Sequence, residues 1–288
     1  MSNDPLFELR ERPDLGEPVL VICLEGWIDA GEAAESAART ILDGGRGTTV
    51  ATFDTEQLID HRARRPTLHL IEGVNSGLSW PAIEMTSAVD SQGRSLLVLS
   101  GPEPDHQWRR FTQAVLDLAV EFDVRLVVGL GAYPAAAPHT RPPHLSATAT
   151  KPELAAQVGF VNATLDIPAG VQAAIEHACT SVDIPAIGVW AQVPHYAAAM
   201  PYPEASAALL DGLRIVAGLQ FDKRSLGDEA ADVRTRLDEI VARNDEHAAH
   251  VSRLEEQDDA VRRAVEAELP TGDELAAEVE RFLRDQDD

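Results

Sequence analysis

Short hydrophobic runs, bounded by glycine, proline and aspartate, recur along the first 220 residues, and helix-period stretches separate them. The runs are rich in β-branched residues and lack clean alternation, which is typical of strands buried on both faces of a sheet. Strands that alternate with helices predict an α/β fold with a layered helix/sheet/helix core. The clearest buried strands are predicted at Val19–Leu24, Thr48–Phe53, Ser95–Leu99, Arg125–Leu130 and Ala186–Val193.

Weaker signals complete this pattern. Half-buried strands are predicted at Leu68–Ile71, Ile83–Ala88 and Leu145–Thr150. Apolar residues with a period near 3.6 predict helices at Ala30–Leu42, Asp105–Phe122, Gly170–Ser181 and Glu204–Gly218. We therefore divide the chain into an N-terminal segment, residues 1–17, an α/β core, residues 18–221, and a C-terminal extension, residues 222–288.

The C-terminal extension differs from the core in composition. Residues 222–288 contain 21 acidic and 10 basic residues and no strand-like run. Ten positions fall at alternating spacings of four and three, and they predict one long helix: Val233, Leu237, Ile240, Asn244, His247, Val251, Leu254, Asp258, Val261 and Val265. Two interpretations stay open, an amphipathic helix folded back on the core and a coiled coil between copies. Thr271 and Glu274 then form a capping box that predicts a second, short helix.

The charge balance excludes whole classes of partner. Lysine and arginine number 24 against 48 acidic residues, which gives a net charge of -24. A field of this sign repels nucleic acids and anionic membranes. No run approaches the roughly 18 apolar residues of a spanning helix, and no signal peptide is recognisable at the N-terminus. Cys23 and Cys179 lie in apolar surroundings, which predicts core thiols in a cytoplasmic protein.

The first strand leads into Glu25–Glu32, where a helix is predicted to begin. The N-terminus of a helix at the carboxyl edge of an α/β sheet can bind a small anion. The other interpretation is structural, with Asp29 as the N-cap and Glu32 as its capping-box partner. Two carboxylates at the positive end of a helix favour the structural interpretation.

Three arginines stand close together in this acidic chain, at Arg62, Arg64 and Arg65. They could grip a carboxylate or phosphate bidentately, or pair with acidic residues of the same or a neighbouring subunit. The surplus of carboxylates favours pairing. We therefore predict an interface that combines this arginine cluster with three apolar residues of the extension, namely Val233, Leu237 and Ile240.

Histidines follow two of the predicted strands, in the loop Pro138–His144 and at His195. His139, Arg141 and His195 could converge on one pocket, where an imidazole can transfer a proton and a guanidinium can bind an anion. A structural hydrogen-bonding role for these residues is the other interpretation. Trp27 and Asp54 complete the wall of this candidate pocket. No catalytic residue is assigned, and the nine histidines lack zinc spacing, so neither a metal nor a cofactor is expected.

Five motifs occur in a fixed order within residues 18–220: Glu25–Gly31, Arg62–Pro66, Gly101–Asp105 with Trp108, Pro138–Pro142 and Val193–Tyr196. Together they resemble the PAC2 family, named after the second proteasome assembly chaperone. The resemblance is closest to an actinobacterial branch of uncharacterised proteins, and residues 269–275 are similar to that branch too.

The resemblance implies a three-layer α/β/α core related to purine nucleoside phosphorylases, followed by the helical extension. It also implies self-association, for which we expect a trimer, and a chaperone-like role in assembling the proteasome or another multisubunit complex. Such chaperones often dock through a terminal hydrophobic-Tyr-any peptide. This chain ends Arg284–Asp288, so docking by such a peptide is not expected.

Two functions follow from these observations. The leading hypothesis is a non-catalytic, protein-binding module of the PAC2 type. The alternative is a small-molecule-binding enzyme, hydrolase-like or ligase-like, that uses the phosphorylase-like cleft. Loops that pack the cleft shut favour the first hypothesis, whereas a roomy pocket with convergent acid and base groups favours the second.

Overall fold

A computed structural model describes residues 5–26, 29–44, 47–159 and 164–268. The strands of this part of the chain are β1 (Phe7–Leu9), β2 (Val19–Glu25), β3 (Thr48–Phe53), β4 (Thr67–Ile71), β5 (Val74–Ser79), β6 (Glu84–Val89), β7 (Ser95–Pro102), β8 (Leu126–Ala135), β9 (Leu145–Ala149) and β10 (Ala186–Pro194). The helices are α1 (Ala33–Asp43), α2 (Thr55–Leu58), α3 (Trp108–Glu121), α4 (Pro152–Ala155), α5 (Val171–Cys179), α6 (Pro203–Ala217), α7 (Arg224–Ala242) and α8 (Asp245–Glu268).

Eight strands form one sheet in the order β1-β3-β6-β7-β2-β8-β10-β9. The neighbours β7, β2, β8 and β10 run parallel, whereas the strands toward both edges pair antiparallel. The parallel centre explains the continuous hydrophobic runs of the sequence, because both faces of these strands are covered by helices. The five buried strands predicted from those runs are all present.

Strand β2 shows how one run supplies two cores. Val19, Val21 and Cys23 belong to the hydrophobic cluster under α1 and α6, and the alternate residues Leu20 and Ile22 belong to the cluster under α3 and α5. Successive side chains of a strand point to opposite faces, so the sheet separates two apolar layers. The predicted α/β/α core is therefore confirmed, as is the helical extension. Its likeness to purine nucleoside phosphorylases stays a prediction.

The two cysteines lie in these two layers. Cys23 is in the cluster under α1 and Cys179 is in the cluster under α5, and both are buried free thiols. Burial raises the pKa of the Cys23 thiol strongly and raises that of Cys179 to about 12. The prediction that both are core residues is confirmed.

The extension contains two helices where the spacing predicted one, so that prediction is wrong. Helix α7 ends at Ala242, and the side chain of Asn244 accepts hydrogen bonds from the backbone N–H groups of Glu246 (2.9 Å) and His247 (3.4 Å). Asn244 is thus the N-cap of α8. The predicted apolar stripe is therefore shared between two helices, with Leu237 buried on α7 and Val251 and Leu254 buried on α8, whereas Ile240 of α7 is 48% exposed.

Two further outcomes concern the ends of the extension. The predicted capping box at Thr271 and Glu274 lies outside the described residues, as does the side chain of Val265. The prediction that residues 1–17, 18–221 and 222–288 are separate units stays a prediction. No helix among the described residues is both long and apolar enough to cross a membrane.

A second, two-stranded sheet consists of β4 and β5. Only β4 is predicted from the sequence, and β5 completes a hairpin whose turn has positive φ at Glu72 (49°) and Gly73 (84°). Positive φ at both central residues is the geometry of a type I′ turn, which matches the twist of the flanking strands.

Candidate functional site

The candidate site lies where β8 and β10 end. The two strands are parallel neighbours, with Ala135 opposite Pro194 in the last matched pair, so the chain leaves both at the same edge of the sheet. The backbone N–H of His195 donates to the carbonyl of Ala135 at 3.0 Å, which joins the two exits. The loop between β8 and β9 is thereby placed beside the turn after β10, as the motif order predicts.

His139 of this loop is buried, at 1% exposure. The Tyr196 hydroxyl accepts the backbone N–H of His139 at 2.8 Å and lies 2.7 Å from Nδ1 of the same residue. A hydroxyl that accepts the N–H can donate its own proton to Nδ1, which places the imidazole proton on Nε2. Nε2 lies 3.1 Å from the Asp238 carboxylate of α7 and donates to it in this tautomer.

Arg141 forms a bidentate pair with α8. Its Nε and Nη2 donate to the two carboxylate oxygens of Asp259 at 2.8 and 3.0 Å, and Nη1 lies 3.4 Å from Glu255. The hydrogen bond to Asp259 raises the pKa of Arg141, and the same bond lowers the pKa of Asp259. Planar fork geometry of this kind gives orientation as well as attraction.

Asp258 is buried at the centre of the second contact with α8. Its two oxygens lie 2.7 Å from Nε2 of His144 and 2.6 Å from Nε of Arg262. Arg262 also donates from Nη2 to the carbonyl of Pro142 at 2.6 Å. The side chain of Asp258 is only 6% exposed, so both of its partners are needed to offset its loss of hydration.

We call this set of hydrogen bonds and ion pairs the tail-docking cluster, which consists of His139, Arg141, His144, Asp238, Asp258 and Asp259. Its cationic or imidazole members lie on the loop between β8 and β9, and its acidic members lie on α7 and α8. The groups that the sequence suggests for proton transfer or anion binding therefore hold the extension of the same chain. The acidic members were not found from sequence.

The structure places the predicted pocket residues in two regions. His139, Arg141 and His195 lie together, and the His195 ring is 5.4 Å from the ring of His250 in α8. Asp54 accepts hydrogen bonds from the backbone of Glu56 and Gln57 and caps α2. It follows β3, four strand positions from β8, which is about 19 Å at normal strand spacing. Trp27 lies outside the described residues.

The N-terminal end of α1, which follows β2, is capped by the side chain of Asp29. The Asp29 carboxylate accepts from the backbone N–H groups of Ala34 (2.7 Å) and Glu35 (3.1 Å) at the start of α1. Asp29 thus caps α1, but through these residues rather than through a box with Glu32. Burial raises the pKa of Asp29, and burial followed by the charges of Glu35 and Asp29 raises the pKa of Glu25.

The cavity at the end of β2 is small. It has a volume of about 30 Å³, which is room for roughly one water molecule. The Glu103 carboxylate closes one side, because it accepts from the backbone N–H of Val171 at 2.5 Å and caps α5. A larger groove of about 450 Å³ lies between α3 and α5, where Trp108, Thr112, Leu116, Ala174 and Ala178 line it. Among the residues that the structure describes, no histidine lines either cavity, and no acidic side chain lines the larger one.

The predicted arginine cluster is divided. Arg64 pairs with Asp105, whose other oxygen accepts the backbone N–H of Asp60 at 2.8 Å. Burial alone would raise the pKa of Asp105, but these hydrogen bonds lower it. Asp105 therefore fixes the turn at residues 60–64, which carries Arg62 and Arg64. It does not cap α3, which begins at Trp108. Arg62 and Arg65 are exposed.

The predicted apolar interface residues also differ from one another. Leu237 is part of the core cluster under α6, and Val233 packs against that cluster. Ile240 is half exposed. The first two residues therefore fix α7 to its own core, and Ile240 alone of the three presents a large apolar surface to solvent. Among the described residues no cluster of three or more histidine, cysteine or acidic side chains could hold a metal.

Comparison with known proteins shows which family this chain belongs to. The model of the PAC2 family matches residues 23–241. The chain belongs to the PAC2 family. No protein with a curated description has a similar sequence.

Solved structures show how far the likeness to other PAC2-type chains extends. A Mycobacterium tuberculosis protein of unknown function, Rv2714, is 33% identical with a TM-score of 0.86, covering 93% of each chain. A Corynebacterium glutamicum protein of unknown function is 29% identical with a TM-score of 0.85, covering 90% of this chain and 99% of the other. The M. tuberculosis proteasome-assembly chaperone homologue Rv2125 is 32% identical with a TM-score of 0.75, covering 81% of this chain and 99% of the other.

Proposed function

We propose that this PAC2 protein is a cytoplasmic, non-catalytic protein-binding module that assists the assembly of the proteasome or another multisubunit complex. The observation that carries the proposal is the 32% identity, over 81% of the chain, to a proteasome-assembly chaperone homologue. The likeness includes nearly the whole length of that protein, so the shared unit is the α/β core and not an accessory segment.

The chemistry of the site supports a binding role over the enzymatic alternative. The imidazole of His139 and the guanidinium of Arg141 are held by carboxylates of α7 and α8. The cavity at the carboxyl edge of the central strands has room for about one water molecule. A substrate would need both groups released and a larger cavity at the same edge, which is why we do not favour the enzyme.

We propose further that the protein works as a homo-oligomer, with a trimer as the expected state. Arg62 and Arg65 are exposed cations in a chain of net charge -24, and Ile240 is 48% exposed. Each of these groups fits a surface that meets another copy. Arg64 contributes indirectly, because its ion pair with Asp105 fixes the turn on which Arg62 and Arg65 are exposed.

The test is affinity capture of the tagged full-length protein from its native cytoplasm, with mass spectrometry of the captured proteins. We expect subunits of one multisubunit complex, enriched in the incompletely assembled form and depleted in the finished complex. Addition of purified protein should then accelerate assembly of those subunits in vitro. Turnover of a nucleoside by the purified protein, with the rate lost in His139→Ala, would instead establish the enzymatic alternative.

A further inference from the structure

The groove between α3 and α5, which we call the α3–α5 groove, has a lining that suits an amphipathic helix. Its floor consists of small or apolar side chains, with Ala174 and Ala178 one turn apart on α5 and Leu116 across from them on α3. Val120 lies one turn beyond Leu116 and is 53% exposed, so the apolar line continues along α3. From Trp108 to Val120 the line is roughly 18 Å long, which is enough for three helical turns.

One buried side chain of the groove lacks a hydrogen-bond partner. Thr112 lines the groove and is 8% exposed, and no described residue forms a hydrogen bond with its Oγ1 atom. A threonine inside a helix can donate to the carbonyl one turn earlier, as Thr40 does to Ser36 at 2.9 Å. An unpaired buried hydroxyl is unfavourable. An occupant that brings a polar group beside Thr112 would therefore complete the groove.

The charge of the groove is opposite to that of the protein as a whole. Arg109 lines the groove and is exposed, and among the described residues no carboxylate pairs with its guanidinium. The nearby carboxylate of Asp117 on α3 accepts a hydrogen bond from the side-chain amide of Gln113 at 2.8 Å. The net charge of the chain is -24. An acidic occupant would thus meet a cation that no described carboxylate neutralises.

Residues 271–285, which we call the terminal segment, match this groove in sequence. They lie outside the described residues. Leu275, Val279 and Phe282 recur at spacings of four and three, which predicts one apolar helical face about 10 Å long. The segment contains five acidic and two basic residues, so its other faces carry mostly negative charge. An apolar stripe with acidic flanks fits an apolar floor with a cationic rim.

The terminal segment is long enough to reach the groove. Helix α8 is held beside the loop that leads into β9, where Arg262 donates to the carbonyl of Pro142. The groove begins near the end of β7, since Glu103 accepts the backbone N–H of Val171 at the start of α5. Strands β7 and β9 are four positions apart in the sheet, which is about 19 Å. The chain from Arg262 to Leu275 can span roughly 30 Å, with its first six residues in α8 and the next seven extended.

We propose that the terminal segment docks in the α3–α5 groove of its own molecule. This inference goes beyond the proposed assembly role and does not rest on it. The tether favours the segment of the same chain, because a short link gives it an effective concentration on the order of millimolar at the groove. The groove is then a surface for acidic amphipathic helices that the chain itself occupies. An acidic helix of another protein would have to replace the terminal segment in order to bind there.

The first experiment measures how fast a thiol at the groove reacts with a maleimide in the full-length chain. Both native cysteines are buried, so a Gln113→Cys substitution on the exposed rim supplies the reactive thiol. We expect its labelling to become at least tenfold faster when Val279→Ser and Phe282→Ser remove the apolar stripe. The control is Ile215→Cys on α6, at the other face of the sheet, because Ile215 is 45% exposed. Its labelling rate should be the same with and without the two serines.

The second experiment keeps the proposal testable if Gln113→Cys disturbs α3. Hydrogen–deuterium exchange of the full-length chain should show protected amides within residues 275–285. Arg109→Glu should lower that protection at least fivefold, because it replaces the cation at the rim by a charge that repels the acidic segment. The matched control is Arg62→Glu, since Arg62 is also an exposed arginine but does not line the groove. This control should leave the protection unchanged.

Each outcome decides the proposal. Faster labelling of Gln113→Cys in the presence of the two serines at every protein concentration, with protection that falls in Arg109→Glu and not in Arg62→Glu, supports it. Equal labelling with and without the serines overturns it and leaves the groove to a helix of another protein. Unprotected amides throughout residues 275–285 overturn it as well. Slow labelling that appears only at high protein concentration also overturns it, and assigns the groove to the terminal segment of a second copy.

Discussion

Replacing the buried Asp258 by alanine should loosen the extension from the core. The substitution removes the acceptor of His144 at 2.7 Å and of Arg262 at 2.6 Å. Breaking a fully buried ion pair costs about 3–5 kcal/mol, whereas an exposed pair is worth at most about 1 kcal/mol. The side chains of Arg262 and His144 are 32% and 28% exposed, so water can reach them after the substitution. We therefore expect the free energy of unfolding to fall by about 2 kcal/mol.

Chemical denaturation measures that loss, and limited proteolysis tests where it acts. We expect cleavage within α8 to become faster in Asp258→Ala, because the pair that fixes this helix to Pro142 and His144 is gone. The matched control is Glu256→Ala, an exposed position on the same helix, which should change stability by less than about 0.5 kcal/mol. Equal denaturation midpoints for Asp258→Ala and Glu256→Ala would refute the reasoning.

Three further predictions concern other parts of the chain. Asn244→Ala should lower the free energy of unfolding by about 1 kcal/mol in a denaturant titration, while Asn244→Asp keeps the cap and should stay near wild type. Glu25→Gln should stabilise the protein at pH 7, because the raised pKa of Glu25 means that the native state favours its protonated form. The native state binds more protons than the unfolded state in the pH range between the ordinary pKa of 4.5 and the raised pKa, so the gain should shrink as pH falls through that range, and a gain that persists unchanged at pH 3 would contradict this account. Cys23 and Cys179 should resist iodoacetamide at pH 8 in the native protein and react after unfolding, and mass spectrometry that finds either one modified in the folded chain would count against the described burial.

The sequence predicts the core well because its signal is local. Runs such as Val19–Leu24 must be strands buried on both faces, since their alternate residues serve two different apolar layers. The β4–β5 hairpin was only half predicted, and the reason is local too. Strand β5 has the sequence Val-Asn-Ser-Gly-Leu-Ser, whose glycine, serines and asparagine have weak strand propensity, and its turn lacks the usual Asn-Gly or Asp-Gly signal.

The tail-docking cluster could not be predicted from local sequence, because its partners are far apart along the chain. His139 meets Asp238 across 99 residues of sequence, and Arg141 meets Asp259 across 118. With 48 acidic residues available, nothing in the sequence tells which carboxylates the loop will take. Asn244 shows a second limit, since a polar residue within an apolar spacing can set the register of a coiled coil or cap a new helix. Only the path of the chain decides between these roles.

The attachment of α7 and α8 has a consequence for any partner that approaches the loop between β8 and β9. The two helices act as a ligand tethered to its own receptor, and only six residues separate the end of α6 from the start of α7. A short tether gives an effective concentration on the order of millimolar. An acidic helix from another molecule, with the same intrinsic affinity, would displace the extension in half of the molecules only when its own concentration is also on the order of millimolar. Weakly binding acidic helices therefore cannot displace the extension from the loop between β8 and β9. Only a competitor that also contacts another part of the core can do so.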